Sequence, residues 1–144
     1  MPVVVTAVKI MGSAVMSAFN CGEIDVSVAN VYPTKQILEV IGNILAENDE
    51  YCKILLSNDL LVFLNSIYYD QSNTDELLRL EVLFCWMNIA GGRWSQVLFD
   101  ATNINDLVSN ITILHKIQTD VSYETARRSM VVICNFICEC NDNV

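Results

Sequence analysis

Three asparagines carry the most suggestive chemistry in this sequence. An asparagine side chain holds a carbonyl acceptor and an amide donor, so it can pair with both polar groups of an extended peptide backbone. Asn43, Asn88 and Asn135 stand 45 and then 47 residues apart. Each closes a similar phrase: EVIGNILAENDE at 39–50, FCWMNIAGGRWSQ at 84–96 and VVICNFICECND at 131–142. On a shared face they would form a ladder that grips a peptide by its main chain. A single asparagine near a helix end is more often a solvated or capping residue; three in register favour the ladder.

Other chemistry finds less support. The chain has no glycine-rich phosphate loop and no paired-histidine helix, and sequence places no cysteine or serine beside its one histidine, His115. Asp75, Glu76 and Glu81 make an acidic helix start, which suits the helix dipole better than acid–base work. No catalytic residue, enzyme activity or cofactor is expected. Cys134 and Cys138 share a helix face and Cys140 follows, but a zinc site wants a fourth ligand. These three are expected to be small packing residues, with no metal. Cys52 and Cys85 sit in apolar stretches (YCKILL, EVLFCWM), as reduced, buried thiols of a cytosolic or nuclear protein would.

The charge balance selects partners. Seventeen acidic residues against eight basic ones give a formal net charge of −9. Such a surface repels phosphate backbones and attracts basic partners, so nucleic acid is not expected and basic peptides are. At 144 residues, 53% hydrophobic, with 2 Pro and 5 Gly, the chain suits one domain of stacked helices.

These asparagines need elements to position them. From Thr34, a candidate N-cap, Ile37, Leu38, Ile41, Ile44 and Leu45 keep a helical period past Asn43. Residues 50–56 read as a short helix and LLVFLNSIYY as a second, opened by Asn58 and Asp59. After a polar linker at 70–75, Glu76 to Ala90 form a long third helix ended by Gly91 and Gly92. The short–medium–long order returns in SQVLFDA, INDLVSNITILHKI and YETARRSMVVICNFICEC. A helical unit recurring at roughly 40–47 residues is the mark of an armadillo or HEAT array. The expected fold is all-α, a right-handed solenoid. Residues 1–33 are read as an incomplete repeat or ragged helical start, with Val4, Val8, Met11, Ala14, Val15, Ala18 and Phe19 on an imperfect amphipathic face. No basic segment precedes that apolar run and Lys9 interrupts it, so neither export nor a membrane span is expected.

The phrases QILEVIGNILAENDE, LRLEVLFCWMNIAGGRWSQ and ETARRSMVVICNF resemble three successive third-helix segments of importin-α, the armadillo adaptor for nuclear localisation signals. ENDEYCKILLSNDLLVFLNSI resembles that family's acidic turn, short helix and leucine-rich second helix. The resemblance spans residues 34–137 and is to a divergent, truncated form of the family's C-terminal, minor-site half. It implies about three armadillo (ARM) repeats over 34–144.

The resemblance also implies roles. In that family a third-helix asparagine bonds the peptide backbone, an aromatic residue one turn earlier walls a lysine slot, and an acidic residue three positions further back attracts the lysine. Here Asn88 has Phe84 and Glu81 at those positions, a nearly complete set. Asn135 has Val131 and Arg128 instead, and Asn43 has Glu39 and Gln36, with Asp49 following as a further acidic candidate. The implied site is Asn43, Asp49, Glu81, Phe84, Asn88 and Asn135. Trp86, about 200° round the helix from Asn88, and Trp94 are expected to be structural.

With one aromatic wall left, a basic nuclear-localisation-like segment would bind weakly, at about micromolar Kd or poorer. The implied setting is the cytoplasm and nucleus. Importin-β binding is not expected, because no basic N-terminal segment is found here. A second reading is a non-transport scaffold that self-associates, as a homo-oligomer, or docks through the apolar ends of its array.

Overall fold

The computed structural model describes residues 31–47, 49–70, 75–112 and 119–142. Those residues form seven α-helices and no strand: α1 Val31–Glu47, α2 Asp49–Leu56, α3 Leu60–Tyr68, α4 Glu76–Ala90, α5 Ser95–Ala101, α6 Ile104–Thr112 and α7 Asp120–Asp142. The expectation for the N-terminal segment lies outside the described residues up to residue 30, as does His115. No helix among the described residues is long and apolar enough to cross a membrane.

Local signals explain most of the boundaries. Asp75 caps α4 by accepting from the Leu77 N–H at 2.8 Å. Asp49 and Glu50 place negative charge on the first turn of α2. At its other end Ser57 and Asn58 donate to the carbonyls of Lys53 and Ile54, both at 2.8 Å, satisfying groups the helix leaves over. Asp59 then adopts a left-handed conformation, φ 62°, that turns the chain into α3.

Two starts differ from expectation. α1 begins at Val31, so Thr34 is buried within its first turn instead of capping it. Pro33 does not prevent this, since the N–H groups of a first turn have no helical partner anyway. α7 begins at Asp120 and not at Tyr123, because the Thr119 hydroxyl accepts from the Ser122 N–H at 3.1 Å and caps an earlier turn.

The long helices organise the rest. α1 packs on α4 and α4 packs on α7, while α3 supports α4 and α6 supports α7. Held between two neighbours, α4 buries residues nearly all round: Leu78, Leu80, Val82, Leu83, Cys85, Trp86, Ile89 and Ala90. The Trp86 ring lies in the core 4.7 Å from that of Tyr68, the structural position expected of it. Asn110 on α6 joins the layers by donating to the Tyr68 hydroxyl and the Ser129 hydroxyl, both at 3.0 Å. Such a partnered polar cluster fixes the relative placement of α3, α6 and α7 without leaving a buried group unsatisfied.

Candidate functional site

The register between the long helices is fixed by side chains reaching from one helix to main-chain carbonyls of the previous one. Asn88 donates to the carbonyl of Gly42 at 2.9 Å, and Asn135 donates to that of Met87 at 3.2 Å. Gly42 and Met87 each immediately precede an asparagine of the series. One turn-pair earlier, Arg128 Nη1 donates to the Leu80 carbonyl at 2.7 Å, and Leu80 immediately precedes Glu81. Equivalent residues therefore lie side by side. Gln36, Glu81 and Arg128 make one row, Glu39, Phe84 and Val131 the next, and Asn43, Asn88 and Asn135 the third.

Each member has a distinct environment. Asn43 is exposed, whereas Asn88 and Asn135 are half-buried by the bonds they make. Each of those bonds uses one of the two N–H hydrogens of an amide. Phe84, half-buried, lies against Gly42: a Cβ there would overlap its ring. The glycine thus admits the Phe84 ring. That close approach is a reason for glycine inside a helix that the sequence pattern did not single out.

The acidic members are coupled. Burial pushes the Glu81 carboxyl above its ordinary 4.5, and the like charge of Glu39 adds to the rise; Arg128 and Lys35 act the other way. Lys35 pairs with Glu39 at 3.7 Å along the same helix. Arg128 does not present a free charge, because its guanidinium is also held by Glu124 at 3.3 Å. Glu81 and Glu39, beside Phe84, are the groups of this face suited to receiving a cation.

Asp49 stands at the Asn88 end of this face, since a Cβ on Gly92 would lie within 4 Å of both its carboxylate and the Asn88 carbonyl. Its carboxylate accepts from the Arg93 N–H at 3.3 Å, and its main-chain carbonyl accepts from the Trp94 indole at 3.0 Å. A Cβ on Gly92 would stand 2.7 Å from that carboxylate. Asp49 thereby clamps the turn after α4, at the opposite end of that helix from Glu81, and Trp94 is structural as expected.

The cysteines with described side chains divide, while the expectation for Cys140 lies outside that set. Cys52 and Cys85 are buried, and burial pushes their thiols up, Cys52 to about 12, which leaves them unreactive. Cys134 and Cys138 are exposed on α7, contrary to the packing role expected of them. Among the described residues no group of histidine, cysteine and acidic side chains is assembled to hold a metal.

No protein-family model matches the chain, nor does any curated protein or solved structure.

Proposed function

We propose that the chain is a peptide-binding protein of the armadillo type, a right-handed solenoid of about three repeats that resembles importin-α. An extended basic segment of a cytoplasmic or nuclear protein lies across α1, α4 and α7. Its main chain pairs with amide groups of Asn43, Asn88 and Asn135, and a lysine or arginine enters beside Phe84 toward Glu81. The observation that supports this most is the half-buried Glu81, whose carboxyl is raised by burial and by Glu39. An incoming ammonium offsets both effects at once. Phe84 adds a contact of roughly 0.5–2 kcal/mol to a cation over its ring, and the net charge of −9 aids capture at low salt.

The test is titration of the full chain with a fluorescent lysine- and arginine-rich peptide at two salt concentrations. Because Phe84 and Asn88 also tie helices together, the charge variant Glu39→Gln/Glu81→Gln is the cleaner comparison. Binding at about micromolar Kd or weaker that falls with salt, and falls about fivefold further in the variant, is expected. Equal binding by the variant, or none at low salt, overturns the proposal.

A further inference from the structure

The internal interface between long helices has two sides, and among the described residues each end of the array leaves one side uncovered. The later helix of each pair contributes the residue three before its asparagine: Cys85 on α4 and Val132 on α7, both 0% exposed. The equivalent residue on α1, Val40, is 49% exposed. The earlier helix contributes the residue five before its asparagine: Leu38 on α1 and Leu83 on α4, again 0% exposed. On α7 that place is held by Met130, 44% exposed. Two residues beyond the asparagine the contrast returns, with Leu45 and Ala90 buried and Ile137 56% exposed. The polar ladder behaves likewise. The carbonyls of Gly42 and Met87 receive an asparagine amide from the next helix, and Cys134 stands at that place on the exposed face of α7. At the other end Asn43 is exposed on α1.

We propose that a second copy of the chain covers these ends, its α1 stacking on α7 of the first as α4 stacks on α1 and α7 on α4. Val40 of the second copy then sits over Met130 and Ile137, and Asn43 of the second copy donates to the Cys134 carbonyl. The occupant is identified by continuity: α7 offers the side of the interface that α1 and α4 already use, and α1 offers the complementary side. The two surfaces differ, so the contact is head-to-tail and propagates to longer assemblies unless it closes into a ring. The proposal draws on helix stacking and not on peptide binding, so each stands or falls alone.

Sedimentation equilibrium of the full chain should give a mass that rises above 16.2 kDa with concentration. Met130→Glu/Ile137→Glu and, separately, Val40→Glu should each weaken association by at least about tenfold. All three positions are surface-exposed, and circular dichroism verifies that the variants fold. The decisive step is mixing: each variant keeps one intact end, so the mixture should form a one-to-one dimer that grows no further. Alkylation of Cys134 should slow as the parent chain associates. Association that survives Val40→Glu would place α7 against α7 and overturn the proposal. So would a chain monomeric up to about 1 mM, which would leave these ends to a different partner.

Discussion

The side-chain amide of Asn88 donates to the main-chain carbonyl of Gly42, next to Asn43, at 2.9 Å. One member of the asparagine series thus fixes the position of another. The same relationship recurs between Asn135 and Met87, next to Asn88. These residues hold the long helices in register.

Asn88→Ala is therefore expected to destabilise the protein by about 1 kcal/mol, the net contribution of a hydrogen bond whose carbonyl partner is left behind. Asn43→Ala, on an exposed side chain, should stay within about 0.5 kcal/mol. Urea denaturation of the two variants beside the parent separates them. Equal midpoints would mean the neighbour-helix bond contributes nothing.

Gly42→Ala sets helix propensity against packing. Alanine gains roughly 0.5–1 kcal/mol over glycine in a helix interior, but its methyl would overlap the Phe84 ring, an overpacking cost of about 1–3 kcal/mol. A net loss of about 1 kcal/mol is expected. In a Phe84→Ala background, where the methyl has room, the same substitution should be neutral or stabilising. Equal effects in both backgrounds, read by thermal unfolding, would refute the close approach of ring and glycine.

The raised carboxyl of Glu81 gives a pH dependence with a definite sign. Because its pKa is higher folded than unfolded, protonated Glu81 favours the fold. That contribution is complete below the ordinary glutamate range and is lost as pH rises through the raised value. Glu81→Gln should therefore unfold at a higher temperature than the parent at neutral pH, with the gap closing near pH 4. Basic-peptide binding should run the opposite way in the parent, weakening as acid protonates Glu81. A parent more stable than the variant at neutral pH would reverse the sign assigned here.

Much of the helical order was legible in the sequence because its apolar periods are strong and its breaks are chemically marked. Asp75 and the glycine pair after Ala90 delimit α4 where the pattern put them. The spacing of the asparagines likewise pointed to adjacent helices. What spacing could not convey was where each amide would turn, since that depends on the stagger between helices. The same limit applies to Asp49, an acid near the site in sequence whose partners, Arg93 and Trp94, come from the turn after the next long helix. The thiols of Cys134 and Cys138 on α7 are exposed, contrary to expectation, because a cysteine in an apolar stretch packs only where a neighbour covers that side of the helix.

The direction of the bonds between long helices has a consequence for synthesis. Asn88, Cys85, Arg128 and Asn135 all reach back to carbonyls of the preceding long helix. The Arg93 amide and the Trp94 indole reach back to Asp49 in the same sense. Asn65, which donates forward to the Ala101 carbonyl, runs the other way. A chain leaving the ribosome from its N-terminus thus presents most of these acceptors before their donors emerge.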